Sequence, residues 1–408
     1  MAKLNILVGQ SGGPTSVINS SLYGVVSAGL SHPDQVDQVI GMINGIEGFL
    51  KGHTTVLSDI PADELALLKS TPAAYLGSCR YKLPEDLEDP VFPELFAKFA
   101  EMNIGYFFYC GGNDSMDTVS KLSRYGAKIG SGIRCMGVPK TIDNDLIITD
   151  HCPGYGSAAK YVATTVRQVA LDASVYDKPF VTILEIMGRL AGWLTASAVL
   201  ARKFEGDNTK LIYMPETNFT MEQFFADLDR CLETEKNVIV AVSEGIHDQD
   251  GTFICEYARQ DVEEDSFGHK QLTGTAAYLA EAVTAHYPGM KVRGIELSLT
   301  QRCGVTNGSA TDMEEACMVG SLAVEEALKG ETGKMIAFIR EPGAEYQITY
   351  QPVDVNEVCN QEKPFPAEWI GPEGNDILQG YIDYALPLIQ GNTPVVYENG
   401  LPKFIYRK

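Results

Sequence analysis

The stretch VPKTIDNDL, residues 138–146, carries a lysine and two aspartates whose spacing could serve catalysis. Asp143 and Asp145 are two residues apart, so their side chains can point to the same side of an extended turn. One carboxylate could accept a proton from a substrate hydroxyl while the other orients that hydroxyl or a hydrated Mg²⁺ ion. Asx-turn chemistry, in which aspartate side chains bond nearby backbone, explains the same residues. A catalytic turn and a structural turn both remain open at this point.

Two turns near the N-terminus have residues suited to phosphate. In VGQSGGPTSVIN, residues 8–19, Gly12 and Gly13 lie between a strand pattern and a helix pattern, where backbone N–H groups and the helix dipole can hold an anion. In YLGSCRY, residues 75–81, Arg80 follows a small-residue turn and could form a forked contact with a phosphate. A tight strand-to-helix turn and a surface salt bridge are the structural alternatives.

A third turn, YCGGNDSMD at residues 109–117, ends an apolar strand pattern with Gly111 and Gly112. Asn113 and Asp114 follow directly, at the position where a helix begins. Asx residues are ordinary helix caps there. A carboxylate or amide oxygen beside a phosphate-binding turn can also hold Mg²⁺.

Three later segments add charged residues where strand patterns end. They are EIMGRLAGW (185–193) with Arg189, VSEGIHD (242–248) with Glu244, and VRGIELSLTQRCG (292–304) with Arg293 and Arg302. Each alone is more often structural. Glycine turns, basic side chains and carboxylates that all follow strands form, together, the inventory of a phosphoryl-transfer site, which works by positioning and charge stabilisation.

The elements that must position these residues alternate between strand and helix patterns. LNILVG (4–9) precedes the helix pattern at 16–30, and IGYFFYCGG (104–112) precedes the one at 115–126. Such alternation predicts an α/β protein with two doubly wound, Rossmann-like domains and mostly parallel sheets. Ligands are then expected at the carboxyl ends of the strands.

Composition narrows the class of protein. A chain of 408 residues suits two packed domains, and its net charge of −22 argues against nucleic acid as a partner. No stretch approaches the ~20 consecutive apolar residues that a membrane span needs. The N-terminus has the pattern of a buried first strand and not of a signal peptide. The nine cysteines are scattered without a CxxC pair, which indicates reduced thiols and a cytoplasmic protein.

The motifs SGGPTSVIN, GGND, TIDND, MGR, SEG and QR occur in an order and spacing that resemble those of the phosphofructokinases, over residues 1 to about 330. The resemblance implies the phosphofructokinase fold, phosphoryl transfer to O1 of fructose 6-phosphate, Mg²⁺ as cofactor, and a homo-oligomer. We expect a phosphoryl-donor-binding domain at 1–150 plus about 305–340 and a sugar-phosphate-binding domain at 151–304. A C-terminal extension, 341–408, is expected to pack on the body.

The resemblance also implies a role for each motif residue. Asp143 would be the general base, flanked by Thr141 and Asp145. The sugar phosphate would be held by Met187, Gly188, Arg189, Glu244 and Arg302, and by Arg293 from a neighbouring subunit. The phosphoryl donor would be held by Gly12, Gly13, Arg80, Gly111, Gly112 and Ser115, and the metal by Asn113 and Asp114.

Two positions in the sequence indicate which phosphoryl donor the protein uses. ATP-using members of the family have glycine where this chain has Asp114 and Lys140, whereas pyrophosphate-using members have Asp and Lys. Asp114 would lie where the α-phosphate of ATP must pass, and two like charges about 4 Å apart cost roughly 4 kcal/mol at an effective dielectric near 20. Lys140 would stabilise charge on the transferring group. The resemblance therefore implies pyrophosphate as donor.

This chain departs from the family pattern at several positions. The first Asp after the glycine pair is Asn113 here, a neutral ligand, so a metal would rely on pyrophosphate, water and Asp114. Leu299 replaces a usual His or Tyr, and the arginine before MGR is absent, with Lys178 the nearest basic residue. The segment around 246–271 and the tail beyond 340 look like additions of this subgroup.

Three other functions compete with this prediction. An ATP-dependent phosphofructokinase would need an open path past Asp114. A non-catalytic regulatory subunit of the family would not need Asp143, Arg189 and Arg302 intact. A nicotinamide-binding dehydrogenase fits the fold class, but the sequence lacks GxGxxG.

Overall fold

The computed structural model describes residues 3–203, 207–257, 272–343 and 345–407. The chain divides into two compact units. Unit 1 comprises Met1–Ser157, Arg302–Lys363 and Gly391–Lys408, and unit 2 comprises Ala158–Gln301 and Pro364–Gln390.

The described residues form thirteen strands: β1 (Leu4–Gln10), β2 (Val36–Met42), β3 (Thr54–Val56), β4 (Ile104–Gly111), β5 (Arg134–Pro139), β6 (Phe180–Ile186), β7 (Leu211–Tyr213), β8 (Asn237–Ser243), β9 (Lys291–Glu296), β10 (Lys334–Arg340), β11 (Ile348–Asp354), β12 (Tyr397–Glu398) and β13 (Leu401–Pro402).

They also form thirteen α-helices: α1 (Ile18–Ser31), α2 (Gly45–Leu50), α3 (Ala62–Ala66), α4 (Val91–Glu101), α5 (Asn113–Lys128), α6 (Tyr155–Ser174), α7 (Trp193–Ala196), α8 (Met221–Leu232), α9 (Thr275–His286), α10 (Thr300–Cys303), α11 (Ala310–Lys329), α12 (Val355–Val358) and α13 (Gln379–Ala385).

Unit 1 is built on a seven-stranded sheet in the order β11-β10-β5-β4-β1-β2-β3. The five inner strands are parallel, and the edge strands β3 and β11 are antiparallel to their neighbours. Parallel pairing brings the carboxyl ends of β1, β4 and β5 to one edge of the sheet. The turns that follow Gln10, Gly111 and Pro139 therefore meet there, which confirms the predicted α/β class with mostly parallel sheets.

Helices bury both faces of this sheet, because successive side chains of a strand point to opposite faces. Leu7 of β1 packs in one apolar cluster with Phe92 of α4. Ile6 and Val8 pack in a second cluster with Leu22 of α1 and residues of α11. Burial on both faces explains why the strand sequences are continuous apolar runs.

Unit 2 contains a four-stranded parallel sheet in the order β7-β8-β6-β9. Its core joins Val181 and Ile183 of β6 to Phe224 of α8 and Leu279 of α9. The MGR motif directly follows β6, and the SEG motif begins with the last residue of the adjacent strand β8. β9 is an edge strand whose residues are mostly exposed in a single chain, Arg293 among them.

The unit boundaries differ slightly from the predicted 150 and 304. Ser157 belongs to unit 1 because its backbone N–H donates to Asp312 Oδ2 (2.9 Å) and its hydroxyl accepts from Ser309 N (3.1 Å). The predicted C-terminal extension is not one body. Residues up to Lys363 and from Gly391 belong to unit 1, while 364–390 belong to unit 2.

Packing explains this division of the tail. β11 pairs with β10 along its whole length, and Ile405 is buried with its backbone N–H on Thr71 Oγ1 (3.1 Å), both within unit 1. In unit 2, Phe365 and Tyr384 pack against the indole of Trp193. Of the segment at 246–271, residues 258–271 lie outside the described residues.

Two further observations concern the described residues as a whole. None of the nine cysteines forms a disulfide. No helix in these ranges is long and apolar enough to cross a membrane.

Candidate functional site

The turn after β5 carries TIDND in a tightly held conformation. Asn144 adopts a left-handed backbone (φ 55°), which asparagine tolerates better than most residues, and its Oδ1 accepts from Cys152 N (3.0 Å). Asp143 N donates to Thr141 Oγ1 (3.1 Å), and Thr141 N donates to the carbonyl of Pro153 (3.1 Å). These bonds fix the direction in which the two aspartates leave the turn.

The carboxylate of Asp145 is enclosed at one of its two oxygens. Its Oδ1 is buried and has no hydrogen-bond partner among the described residues. Burial raises the pKa of Asp145, and this is opposed by a hydrogen bond from Thr141 and by the charges of Lys140 and Lys363. Such an oxygen is suited to a ligand, because an unpartnered buried carboxylate oxygen is costly.

Lys140 lies at the end of β5 with only 4% of its surface exposed. Its Nζ donates to the carbonyl of Gly13 (2.5 Å), and its backbone N–H donates to Gly111 O (2.9 Å). Burial lowers the pKa of Lys140 to about 8; the carboxylates of Asp143 and Asp145 oppose this, and Arg302 adds to it. The ammonium group therefore joins the TIDND turn to the first glycine turn.

The first glycine turn is lined by two cations. Gly12 has a left-handed backbone (φ +75°), and a Cβ placed on it would lie 3.4 Å from Lys140 Nζ. A Cβ on Gly13 would lie 3.1 Å from Arg302 Nη1. Arg302 thus sits beside the predicted donor turn, within unit 1, a location that the sequence pattern did not indicate.

The turn that carries Arg80 is hydrogen-bonded to the first glycine turn. Ser78 Oγ donates to Gly12 O (2.6 Å), and Ser11 Oγ donates to Cys79 O (3.4 Å). Arg80 is the next residue along the chain after Ser78 and Cys79, and its side chain is exposed. Unit 1 therefore brings together the predicted donor residues of all three turns.

The third turn begins α5 with Asn113. Its Nδ2 donates to Gln361 O (2.5 Å), and its Oδ1 accepts from Asn360 N (2.5 Å). Asp114 follows in the first turn of the helix, where a negative charge is favoured by the helix dipole. Ser115 is buried and its backbone N–H donates to Gly112 O (3.0 Å).

The described residues contain no group of three or more His, Cys, Asp or Glu side chains arranged to hold a metal. Mg²⁺ at phosphoryl-transfer sites commonly takes one or two carboxylates, with phosphate and water oxygens completing its shell. Asp114 fits that pattern. Asn113 fits it less well, because its Oδ1 already accepts a hydrogen bond from Asn360.

In unit 2 the MGR and SEG motifs meet. Gly188 N donates to Glu244 Oε1 (3.3 Å), and Ser243 Oγ donates to Gly188 O (2.5 Å). Gly188 has a positive φ of 139°, and a Cβ on it would lie 2.6 Å from the carbonyl of Ala191, so only glycine fits. Arg189 follows, and its Nε is buried with no hydrogen-bond partner among the described residues.

Two side chains to which the sequence assigned no role, Gln301 of the QR motif and Glu216, support this pair of motifs. Gln301 Oε1 accepts from Met187 N (3.3 Å). Glu216 Oε1 accepts from Gly192 N (2.7 Å), and burial raises the pKa of Glu216. The signal in the sequence was a carboxylate just beyond a short apolar run, in YMPE at 213–216.

Arg293 lies apart from these motifs. It pairs in register with Thr182, in the middle of β6, whereas MGR follows the end of that strand. Its exposed guanidinium lies over the ring of Phe180, 5.6 Å from the centroid. Within unit 2 it is therefore not part of the Gly188–Glu244 group.

Comparison with known proteins places these features in a family. Residues 5–326 match the family model described as Phosphofructokinase. The chain is 39% identical over 407 residues to a pyrophosphate–fructose 6-phosphate 1-phosphotransferase of Halomonas elongata, covering 99% of this chain and 96% of that protein. It is 37% identical over 409 residues to the protein of the same name from Methylococcus capsulatus, with coverage of 99% and 96%.

A solved structure gives the same result. The crystal structure of a pyrophosphate-dependent phosphofructokinase from Marinobacter aquaeolei matches with a TM-score of 0.89 at 37% identity, covering 99% of this chain and 96% of that one.

Proposed function

The chain belongs to the phosphofructokinase family, and we propose that it transfers a phosphoryl group from pyrophosphate to O1 of fructose 6-phosphate, reversibly. The products are fructose 1,6-bisphosphate and phosphate. The observation that carries the proposal is the buried Lys140 ammonium on the Gly12–Gly13 turn, next to the helix α5 that carries Asp114 in its first turn. The relatives named for this reaction match the chain over nearly its whole length.

In the proposed reaction one proton is transferred, one P–O bond forms and one P–O bond breaks. Asp143 accepts the proton of the O1 hydroxyl as O1 attacks the terminal phosphorus of pyrophosphate. The O1–P bond forms while the bridging P–O bond breaks, and phosphate leaves with the bridging oxygen. Lys140 contributes positive charge beside the transferring group, where a low-dielectric setting makes that charge more effective.

Asp114 selects the donor. A nucleotide would have to place its α-phosphate against this carboxylate, whereas pyrophosphate ends before that point. At an effective dielectric near 20, two like charges about 4 Å apart repel by roughly 4 kcal/mol. This difference corresponds to about a thousandfold in binding.

Asp114 would also be the protein's carboxylate for Mg²⁺, together with pyrophosphate oxygens and water. The ion would neutralise phosphate charge when bound. Pyrophosphate is also bound by other groups of these turns. They are the backbone N–H groups of Gly12, Gly13, Gly111 and Gly112, together with Ser115 and the side chain of Arg80.

Fructose 6-phosphate is bound by residues of the later motifs, which are Met187, Gly188, Arg189, Glu244 and Arg302. Glu244 already accepts from Gly188 N, so it holds the MGR turn as well as offering an oxygen to a sugar hydroxyl. Thr141 and Asp145 flank the reacting hydroxyl. Arg293 is exposed on the edge strand β9, and we assign it to the 6-phosphate of a second copy, which makes the enzyme a homo-oligomer. Phosphorylated sugars are cytoplasmic metabolites, and we place the reaction there.

The test is to follow both directions of the reaction by ³¹P NMR without nucleotide. We expect fructose 6-phosphate, pyrophosphate and Mg²⁺ to give fructose 1,6-bisphosphate and phosphate. The bisphosphate with phosphate should regenerate pyrophosphate. Phosphoryl transfer only after ATP is added would reject pyrophosphate as donor and favour the ATP-dependent alternative. The absence of transfer with either donor would favour the regulatory subunit.

A further inference from the structure

A short segment after α12, residues Asn360–Lys363, links two parts of unit 1 that carry the donor and catalytic residues. We call this segment the strap. Its first half contacts the start of α5 through Asn113, whose amide donates to Gln361 O and accepts from Asn360 N, each at 2.5 Å. Asn360 Nδ2 also donates to Asp117 Oδ1, one turn further along the same helix (3.2 Å).

The second half of the strap contacts the catalytic turn. Lys363 N donates to the carbonyl of Asp145 (2.7 Å). Its Nζ donates to Asp150 O (2.7 Å) and lies 3.4 Å from Thr149 O. Lys363 thus holds both ends of the chain between Asp145 and Asp150 through one backbone and one side-chain donor.

The ammonium of Lys363 also acts electrostatically on Asp145. Its positive charge is among the groups that oppose the raised pKa of that carboxyl and so favour its ionised form. Burial lowers the pKa of Lys363 itself, while the charges of Cys152, Asp150 and Asp145 oppose this. Lys363 is only partly exposed, and its ammonium lies close enough to Asp145 to favour the ionised carboxylate.

The strap accounts for asparagine at position 113. An amide side chain can donate to one carbonyl and accept from one N–H at the same time. An aspartate could only accept, and its charge would face the carbonyl oxygen of Gln361 without a proton between them. The residue type therefore matches an anchor for the strap better than a ligand for a metal.

We propose that the strap is a positioning element for phosphoryl transfer, in which Asn113 anchors the segment and Lys363 sets the catalytic turn that carries Asp143 and Asp145. The inference rests on the proposed function. Lys363 acts through the turn and not on the substrate, so it is a positioning residue. A shift of about 1 Å in such a turn is enough to lower turnover about a hundredfold.

The experiment compares four variants of the full chain with the native protein. Lys363→Met removes the charge and the Nζ donor while keeping similar bulk, and Lys363→Arg restores a cationic donor. Asn113→Asp weakens the anchor at a partly exposed site where folding is less at risk. Lys403→Met is the matched control, because Lys403 forms a surface ion pair with Glu398 (2.9 Å) in the same unit.

The measurements are kcat, the KM of each substrate and of Mg²⁺, the melting temperature, and amide hydrogen exchange in protein free of metal and substrate. We expect Lys363→Met to lower kcat by roughly 10–100-fold, with each KM within about threefold. Exchange should accelerate at 141–150 and 360–363 while the rest of unit 1 is unchanged. Lys363→Arg should recover part of kcat, and Lys403→Met should behave as native.

Asn113→Asp separates the anchor from a metal ligand. As an anchor, it should lower kcat several-fold and accelerate exchange at the strap without changing the Mg²⁺ dependence. A tighter Mg²⁺ dependence with normal kcat and normal exchange would overturn the inference. So would native kcat in both Lys363→Met and Asn113→Asp. Absence of pyrophosphate-dependent activity in the native protein would instead reject the proposed function, while the exchange data would still report on the strap.

Discussion

Replacing Lys140 by arginine should remove the alkaline limb from the pH dependence of pyrophosphate use. Lys140 is buried and its pKa is lowered to about 8, so the native side chain is cationic below that pH and neutral above it. Arginine stays protonated throughout the range. The two proteins therefore differ in charge at this position only above about pH 8.

The size of the effect follows from that pKa. At one pH unit above it, about a tenth of the molecules keep the ammonium, and at two units about a hundredth. Because kcat/KM reports the ionisation of free enzyme, kcat/KM for pyrophosphate should fall about tenfold per pH unit in the native protein. Bound pyrophosphate places negative charge beside Lys140 and raises the pKa of its ammonium group. The alkaline fall in kcat should therefore begin at a higher pH than the fall in kcat/KM, above pH 8.

The assay follows fructose 1,6-bisphosphate formation from pH 6.5 to 10, with coupling enzymes in excess at every pH. Pyrophosphate ionises over the same range, but this affects both proteins equally and cancels in the native-to-variant ratio. If arginine is too large for the site, Lys140→Met can replace it. Methionine is uncharged at every pH, so the native-to-variant ratio of kcat/KM should again fall above pH 8, although the variant is less active. A ratio that does not change with pH would refute the role of the Lys140 ammonium.

Three more predictions concern the site residues. Asp143→Ala should lower kcat by ~10²–10⁴, the usual contribution of a general base, and near-native turnover would reject that role. Arg302→Ala should mainly raise the KM of fructose 6-phosphate; a rise in the pyrophosphate KM alone would assign Arg302 to the donor, beside Gly13. Asp114→Gly should raise kcat/KM for ATP by up to ~10³, and Asp114→Asn, which removes the charge at similar volume, should give part of that gain. Unchanged ATP use in both variants would show that Asp114 does not exclude the nucleotide.

The sequence predicted the fold and the grouping of the first-half motifs for one physical reason. Apolar strand patterns that alternate with helices require parallel pairing, and parallel pairing brings the carboxyl ends of the strands together. The turns after β1, β4 and β5 were therefore expected to meet, and Lys140 Nζ on Gly13 O shows that they do.

The pattern did not reveal contacts made by distant, irregular segments. Asn113 and Gln361 are 248 residues apart, and the strap has no periodicity from which its location follows. The place of Arg302 beside Gly13 was not apparent for a similar reason, since Arg302 lies in the short helix α10 and does not directly follow a strand. Periodicity predicts which face of an element is buried, but not which irregular segment covers it.

The edge strand β11 was also missed, because ITYQPVD (348–354) lies in a stretch rich in Pro, Tyr and Gln. Pro352 within a strand argues against a central position, and among the described residues β11 is indeed the edge of its sheet, with β10 as its one neighbour. Proline at an edge loses no ladder hydrogen bond when its nitrogen faces away from the partner strand.

The central claim is that this phosphofructokinase uses pyrophosphate, and the ratio of kcat/KM for pyrophosphate to kcat/KM for ATP in the native protein tests it most directly. Both values are measured with fructose 6-phosphate and Mg²⁺ at saturation and pH 7. The repulsion at Asp114 predicts a ratio of at least ~10³ in favour of pyrophosphate. A ratio near one, or one that favours ATP, would contradict the account.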